Sequence, residues 1–530
     1  MIVQQGSINL AAVQVPGVIV QIVPPAVTPI LGVPSGGEGV VGTATWGPVD
    51  SPTVCGSYAE YTTLFGPLVN RTYDAGTEVA IGTQLGVINF TVVRVTDGTD
   101  TAATATLGAV SSNFAAKLTG LYTGSLGNAI VATMSAGTQV GTWKLSIALP
   151  GMVPEVFENI AGSGATFWGN LVSAVNNGTS PNRGASQVVS AMLGTLTSTA
   201  PAAGSSAAGG SGILSAFSGG TDGASAITSA ILMGTDGAGA SRTGTYALRG
   251  TGVAVVDVAG LTDTTQWANL TALCQSESQY PVVAFPAGNS ISATTTAMAS
   301  LGIDTAWLKI MHGDWVWWSD TVSGVTRLVS PAAFIAACLA NLAPNASSLN
   351  KQLAAVVGTQ KTSANQVYSS ADLLALMQAR VDVITLPSAG GQNYFAAAFG
   401  INASSNSGTN GDNYTRMTNF LAPTLNKAMG IWIGTLQSAA QRLNAYAMLD
   451  QLMCSLWQQG LIGNADGSWP NGPQPWSITL NDSNNPPQRV ALGFEQADMA
   501  VQYLSVIDTL LINLQAGQSV QITSTAATAA

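Results

Sequence analysis

Histidine is the residue on which hydrolytic catalysis and metal binding most often depend, and this chain of 530 residues contains one, His312. Activation of a serine or cysteine nucleophile needs a histidine that a third group orients, so the surroundings of His312 decide its role. It lies beside an aromatic run at residues 315–318, which lacks the basic neighbours of a nucleic-acid stacking surface. This setting favours a structural histidine next to a half-buried strand.

A glycine motif at residues 37–42 matches the dinucleotide-binding pattern Gly-x-Gly-x-x-Gly. In that motif the glycines follow a strand and open a helix whose first turn binds the pyrophosphate. Here residues 43–48 follow, and they include Trp46, Gly47 and Pro48, which cannot open a long helix. The motif therefore does not predict a nucleotide site.

Metal and paired-carboxylate chemistry have equally weak support. Residues 464–467 resemble part of a calcium loop, but Ile462 occupies the acidic first position and no glutamate closes the loop. Asp372 and Asp382 could serve as the two carboxylates of a glycan-active enzyme, but solvated charges at helix ends are the favoured explanation of both.

The cysteines have neither metal-site spacing nor the spacing of a disulfide framework, and they are Cys55, Cys274, Cys338 and Cys454. We interpret them as reduced core thiols. The sequence therefore predicts no catalytic residue, no cofactor and no metal site, and we do not expect an enzyme.

The composition points to a surface that other subunits cover. Only 8% of the residues are charged, against roughly a quarter in ordinary soluble domains, while 46% are hydrophobic. A monomer with so few charges would be poorly soluble. The net charge of −10 argues against direct binding of nucleic acid, which needs clustered Lys and Arg. The length predicts roughly two to four domains.

Both ends of the chain are uncharged and strand-forming, with no evident local partner. Residues 1–37 carry no charge, and exposed apolar edge strands of this kind pair readily with other chains unless they are protected. We therefore expect each end to be an arm that adds a strand to a neighbouring copy. The residues of these intersubunit strand arms are Val18, Ile19, Val20, Gln21, Ile22 and Val23 at the front, and Leu510, Leu511, Ile512, Asn513, Leu514, Val520, Gln521 and Ile522 at the back.

The first residues lack the basic segment of a signal peptide, and five prolines between residues 16 and 34 are incompatible with a spanning helix. We therefore expect no membrane insertion and folding in a cytoplasm.

Local signals predict an α/β core that an insertion interrupts. A capping-box pattern at residues 57–60 predicts a helix that ends at Gly66, and residues 87–95 predict a strand. The sequence then becomes rich in Thr, Gly and Ala, which predicts short alternating strands. Alternation of strands and helices returns near residue 253. A long helix is predicted at residues 438–459, followed by strands near residues 476–480 and 490–494.

The predicted fold class is an α/β core, a mixed sheet with helices, formed by N- and C-terminal parts, with inserted β-rich domains and extended terminal strand arms. The expected boundaries are 1–30 for the N-terminal strand arm, 31–95 for the first part of the core, 96–244 for the inserted outer domains, 245–504 for the second part of the core, and 505–530 for the C-terminal strand arm and tail.

An ordered series of segments resembles the contractile-tail sheath proteins of myovirus-type bacteriophages. The opening matches best, for example in Val15-Pro16-Gly17-Val18 and Tyr58-Ala59-Glu60-Tyr61. The segments that carry the resemblance are residues 15–20, 29–33, 40–49, 58–66, 90–95, 122–128, 149–159, 218–223 and 452–463.

This resemblance implies a non-enzymatic subunit of a phage tail, assembled in the host bacterial cytoplasm. Such subunits polymerise as stacked hexameric rings around a tail tube and contract to drive the tube through the host envelope, for genome ejection. The implied partners are other copies of the chain, the tail tube protein, and the baseplate and tail-terminator proteins. Since the core faces the tube in such sheaths, Arg416 and Lys427 become candidate tube contacts.

Two other hypotheses about the function remain open. An S-layer or other surface-lattice protein would share the acidic, cysteine-poor composition, but it should carry an export signal. A cytosolic α/β enzyme is the third reading, and it depends on the carboxylates considered above. The sequence also leaves open whether the sheath belongs to a phage tail or to a phage-derived injection device.

Overall fold

The structure is a computed structural model that describes residues 2–5, 19–22, 30, 32–110, 112–179, 183–207, 213–238, 241–387, 394–464, 467 and 469–508, with the backbone alone considered at 2–5 and 19–22. The chain divides into two compact units. The larger unit comprises residues 34–419, and the smaller unit comprises residues 1–33 and 420–530.

The first hundred residues supply part of an α/β layer. Their elements are β1 (Ile2–Gln5), β2 (Ile19–Ile22), β3 (Glu38–Gly42), β4 (Thr53–Cys55), α1 (Tyr58–Phe65), α2 (Ala75–Gln84) and β5 (Phe90–Arg94). The next stretch is rich in short strands, and its elements are β6 (Thr104–Leu107), β7 (Ala116–Gly120), β8 (Val131–Ala136), β9 (Trp143–Ala148), β10 (Glu155–Ile160), α3 (Gly164–Asn177), β11 (Val189–Leu193), β12 (Gly204–Ser205) and α4 (Ser229–Met233).

Strands and helices alternate again in the remainder of the larger unit. Its elements are β13 (Val255–Val258), α5 (Trp267–Ser276), β14 (Tyr280–Ala284), α6 (Ile291–Leu301), β15 (Lys309–Met311), β16 (Val316–Asp320), β17 (Val325–Val329), α7 (Pro331–Asn341), β18 (Val356–Thr359), α8 (Gln360–Ser363), α9 (Ser370–Gln378), β19 (Ile384–Thr385), β20 (Ala396–Ala397) and α10 (Asp412–Met429), whose residues from Phe420 onward belong to the smaller unit. The smaller unit contains β1 and β2, and its remaining elements are α11 (Ala439–Gln458), β21 (Trp476–Thr479), α12 (Pro487–Ala491) and β22 (Asp498–Val501).

A six-stranded sheet organises the larger unit, in the order β15–β14–β13–β3–β5–β4. Its strands are parallel except β4, which is antiparallel to β5. Val40 packs among residues of α2 and α7, and its neighbour Val41 packs among residues of α5 and α6. Both faces are therefore covered, which explains why the central strands β3, β5, β13 and β14 are buried along their whole length. The predicted mixed α/β class is confirmed.

Strands β6–β12, which span residues 104–205, form separate antiparallel sheets and lie in the sequence between β5 and β13 of the six-stranded sheet. One has the order β10–β9–β8–β12 and another has the order β11–β7–β6. Helix α3 packs Phe167, Trp168 and Leu171 into their common apolar core. Strand β12 is an edge strand of the first of these sheets and pairs antiparallel with β8.

Helix α1 illustrates how local sequence sets an element. The Ser57 hydroxyl accepts a hydrogen bond from the Glu60 N–H at 3.3 Å, and the Glu60 carboxylate accepts one from the Gly56 N–H at 2.8 Å. The helix ends at Gly66, whose φ of 81° favours glycine. The predicted start and end of the helix are therefore confirmed, although Glu60 accepts from Gly56 and not from Ser57, as a complete capping box would require.

The strand predicted at residues 490–494 is wrong. Pro487 stands at the first turn of α12, where its fixed φ suits a helix and its missing N–H has no cost. The partner of β21 is instead β22, in antiparallel register from Trp476 opposite Val501 to Thr479 opposite Asp498.

Candidate assembly surfaces

His312 is a buried packing residue at the end of β15. Its Nδ1 lies 3.0 Å from the Thr294 hydroxyl on α6, and its ring meets the Tyr368 ring edge-on at 6.3 Å between centroids. Burial lowers the pKa of His312 to about 4. The imidazole is therefore neutral near pH 7 and serves the packing of α6 against the sheet.

The glycine motif is explained by close packing of strand β3. A Cβ on Gly42 would lie 2.8 Å from the Tyr73 carbonyl oxygen, and one on Gly39 would lie 2.9 Å from Leu248. Strand β3 continues into a short turn, and the next helix begins only at Tyr58. These glycines therefore let neighbouring segments approach β3.

The two carboxylates considered for glycan chemistry lie in different networks. Asp372 closes the capping box of α9 with Ser369 and pairs at 3.8 Å with Lys361. Asp382 is fully buried, and its Oδ2 lies 2.8 Å from the Lys309 ammonium. Their separate partners give them no common substrate-facing arrangement.

A buried ionic cluster fixes the start of α10 within the larger unit. The Lys309 Nζ lies 2.8 Å from Asp382 and 3.0 Å from Asp412, and all three side chains are fully buried. Asp412 also accepts hydrogen bonds from the hydroxyls of Ser348 and Tyr280, the latter at 2.8 Å. Burial alone would raise the pKa of Asp412, but the Lys309 charge and these donors outweigh it and lower that pKa.

Arg416, one of the two candidate tube contacts, has its charge occupied inside the larger unit. Its Nη2 donates to the carbonyl oxygens of Leu339 and Leu342, both at 2.6 Å, and its Nη1 donates to those of Ala343 and Ala346 at 2.8 and 3.1 Å. The side chain is 4% exposed and caps the C-terminal end of α7, where carbonyl groups have no helical partner. This geometry corrects the expectation that Arg416 faces a tube.

Lys427, the other candidate, is exposed in the last turn of α10. Its placement leaves the ammonium accessible in the isolated subunit.

The N-terminal strand arm has a local partner, contrary to the sequence-based expectation. Strand β2 covers four of the six arm residues, and it pairs in parallel with β1, with Ile2 opposite Ile19 and Gln5 opposite Ile22. The flanking Val18 and Val23 lie outside the described residues. The C-terminal strand arm, residues 510–522, also lies outside them.

The β21–β22 pair is a two-stranded sheet held against α11. The Trp476 Nε1 donates to the Asp450 carboxylate of α11 at 2.8 Å. Within the part of the chain that the structure describes, no third strand joins this pair. Since two strands alone are only marginally stable in water, the open edges can accept further strands.

The smaller unit also exposes large apolar side chains. Exposure reaches 85% at Ile433, 91% at Leu436 and 64% at Phe494. Ile433 and Phe494 line a cavity of about 420 Å³, together with Trp432 and Leu480. Contiguous exposed apolar surface marks interaction sites in soluble proteins. No motif or spacing in the sequence marks these residues, but the absence of charge from residues 428–441 is consistent with an apolar surface.

None of the helices in the described ranges is long and apolar enough to cross a membrane. Among these same residues, no group of three or more His, Cys, Asp or Glu side chains is arranged to hold a metal ion.

The fold matches solved structures of contractile sheath proteins along most of the chain. The sheath tail protein of Listeria innocua is 14% identical, with a TM-score of 0.58 over 84% of this chain and 89% of that one. The sheath tail protein of Desulfitobacterium hafniense is 13% identical, with a TM-score of 0.56 over 88% and 94%. The contracted PVC sheath of an extracellular contractile injection system is 9% identical, with a TM-score of 0.52 over 96% and 99%.

The sequence itself matched neither a protein-family model nor a curated protein. At identities of 9–14%, the structural matches establish the fold, which is that of contractile sheath proteins.

Proposed function

We propose that this chain is the structural subunit of a contractile tail sheath. Copies would assemble as stacked hexameric rings around a tail tube and shorten to drive the tube through the envelope of a target cell. The observation that carries the proposal is the extent of the fold match, which reaches 88% of this chain and 94% of the sheath tail protein of D. hafniense. A shared single domain would not give a match of this extent.

The surface chemistry supports a subunit that works inside a polymer. The chain has few charged residues, and its smaller unit exposes Ile433, Leu436 and Phe494. In a free monomer these residues would promote aggregation, whereas subunit contacts would cover them. A surface lattice would also cover them, but the structural matches give that alternative no support. They give none to the cytosolic enzyme either.

In this proposal the strand arms link neighbouring subunits. Residues 18–23 and 510–522 would leave one subunit and add strands to the β21–β22 sheet of a neighbour. Each cross-strand pair contributes roughly 0.2–1 kcal/mol, so many such contacts sum to a strong polymer. The stored energy of the extended state would lie in contacts between cores, which exchange partners during contraction.

The proposed roles of the domains follow the domain boundaries expected from the sequence. Residues 31–95 and 245–504 would form the tube-facing core, and residues 96–244 the outward-facing part. The partners would be other copies, the tail tube, the baseplate and the tail-terminator protein, with no direct contact to nucleic acid and no membrane insertion. The site of action would be the virion tail, after assembly in the host cytoplasm.

Negative-stain microscopy of the purified full-length protein tests this proposal. We expect long hollow tubes of uniform diameter, whose rings show six-fold symmetry on averaging. A variant that lacks residues 1–23 should stay folded, by circular dichroism, yet form no tubes. Monodisperse monomers under all assembly conditions would reject the sheath function, and normal tubes from the truncated variant would reject the arm model.

The sheath could belong to a phage tail or to an injection device, because solved sheaths with this fold include an injection system as well as sheath tail proteins. We favour a phage tail. Microscopy of the native particles decides between them: DNA-filled heads on the tails support the phage, and headless particles support an injection device.

A further inference from the structure

In the free subunit the N-terminal strand arm already has a partner, because β2 pairs with β1. Strand β1 occupies one edge of β2 over four consecutive residues, in a register that pairs Val3 with Val20 and Gln4 with Gln21. These are residues that would pair with a neighbouring copy if the arm acts as proposed above. The edge of β2 that pairs with β1 therefore cannot pair with a neighbouring copy at the same time.

We propose that β1 is a self-cap, which covers the assembly edge of β2 in the free subunit and is released when β2 joins the sheet of a second copy. This inference rests on the proposed sheath function. It identifies the edge of β2 as an interaction surface, a second copy as its partner, and residues 2–5 as the competing segment.

The physical chemistry of the pair suits a cap that can be removed. Parallel pairing is slightly less stable per residue than antiparallel pairing, and two strands without a third are marginal in water. The thirteen residues between β1 and β2 meet the length of about a dozen that a parallel connection needs. The cap can therefore form within one chain, yet the larger sheet of a neighbour can replace it.

The self-cap also protects the uncharged N-terminal segment from pairing with arbitrary strands. The segment 1–37 has no charge to discourage pairing with arbitrary strands. With β1 in place, the backbone groups along one edge of β2 already have partners. A free subunit is then less prone to premature association, and assembly depends on the fraction of subunits whose cap is open.

A reversible cross-link tests the self-cap directly. Paired Cα atoms on neighbouring strands lie about 4.8 Å apart, within the range of roughly 4.4–6.8 Å that disulfides bridge. The variant Val3→Cys/Val20→Cys, in a Cys454→Ser background that removes the partly exposed native thiol, can lock the cap when oxidised. The two single-cysteine variants in the same background are the matched controls.

Tube formation is followed by light scattering and checked by electron microscopy, with the cross-link verified by peptide mapping. Oxidation should slow tube formation of the double variant at least about tenfold, a change equivalent to about 1.4 kcal/mol, and reduction should restore the rate. The single-cysteine controls should not respond. Equal rates for the oxidised and reduced double variant would overturn the self-cap.

A second variant removes the cap. Deletion of residues 2–5 should accelerate tube formation by a factor on the order of three to ten, because the edge of β2 that β1 covers is then free in every subunit. An unchanged or slower rate would overturn the inference, since β1 would then be neutral or a part of the lattice. These outcomes are separable from the sheath function itself, which fails only if the reduced, full-length protein forms no tubes.

Discussion

The ammonium of Lys309 lies 2.8 Å from the carboxylate of Asp382, and neither side chain is exposed to solvent. A second buried carboxylate, that of Asp412, lies 3.0 Å from the same ammonium. One positive charge thus pairs with two carboxylates that lie 73 and 103 residues further along the chain, and Asp412 is the first residue of α10. The cluster ties the central sheet to the start of that helix.

Replacement of Lys309 by methionine should lower the free energy of unfolding by about 3–5 kcal/mol, because two buried carboxylates would lose their counter-charge. Urea denaturation followed by circular dichroism measures the change. The matched control is Lys361→Met, which removes a partly exposed pair with Asp372 at 3.8 Å and should cost no more than about 1 kcal/mol. Similar losses for both variants would contradict the assigned role of the cluster.

Arg416→Lys should destabilise the larger unit even though it keeps the charge. The guanidinium serves four carbonyl oxygens at the end of α7, and an ammonium cannot reproduce that planar geometry. We expect a loss of about 1–3 kcal/mol in the free energy of unfolding. Arg249→Lys is a suitable comparison, because that guanidinium is partly exposed in its pairs with Glu277 and Asp236. No difference between the two variants would argue against the capping role.

Three carboxyl groups are buried together where β3, β13 and α2 meet. Burial, and then Asp257, raise the pKa of Glu38 well above its usual range. Burial, with Asp257, Glu38 and Asp74 as further causes, does the same for Glu78. Burial also raises the pKa of Asp257 to about 7. The charged groups that act most strongly on Glu38 and Glu78 are thus acidic.

A carboxyl group whose pKa is higher in the folded state binds protons more tightly there than in the unfolded chain. Its contribution to stability is fully present below the unfolded pKa of about 4 and is lost as the pH rises through the folded value. Asp257→Asn should therefore flatten the decline in the free energy of unfolding between about pH 4 and pH 7. The exposed Asp482→Asn serves as control, and an identical decline in wild type and Asp257→Asn would refute the assignment.

Much of the fold follows from local sequence, and the reasons for the failures are equally local. Helix α1 was predictable because Ser57, Glu60 and Gly66 specify its ends without help from distant residues. The strand expected at residues 490–494 failed because a proline pair set a helix start in an apolar segment. Arg416 was a candidate tube contact from the sequence, and its burial was not predictable because the carbonyl groups that it binds at the end of α7 lie some 70 residues away in the sequence.

The sheet pairing of β1 with β2 was missed for a different reason. Parallel pairing across a connection leaves no turn motif of the kind that marks a hairpin. The uncharged composition of the arm indicated that it would pair, but not with which segment. Strand β22 was likewise hidden, because Asp498–Val501 is too short and too polar at its start to stand out as a strand.

Lys427→Glu should weaken binding to the tail tube without unfolding the subunit. Its side chain is exposed at the end of α10, so reversal of the charge should leave the thermal midpoint unchanged. Co-sedimentation of sheath with purified tubes measures binding, and Lys351→Glu, at another exposed position, is the charge-matched control. Retained tube binding by Lys427→Glu would remove this residue from the contact.

The exposed apolar residues of the smaller unit should matter for assembly more than for stability. Leu436 and Phe494 are 91% and 64% exposed, so replacing them with serine removes little packing within the subunit. If neighbouring subunits cover them, the double variant Leu436→Ser/Phe494→Ser should need at least about tenfold more protein to form tubes, equivalent to about 1.4 kcal/mol per subunit.

The critical concentration for tube formation, measured by sedimentation, tests this expectation. Leu374→Ser is the matched control, because Leu374 lies on α9 of the larger unit and is 55% exposed there. A raised critical concentration for the double variant alone, with an unchanged thermal midpoint, would identify the apolar surface as a subunit contact. An unchanged critical concentration would mean that this surface stays uncovered in the tube, and a lowered thermal midpoint would mean that the two side chains pack within the subunit itself.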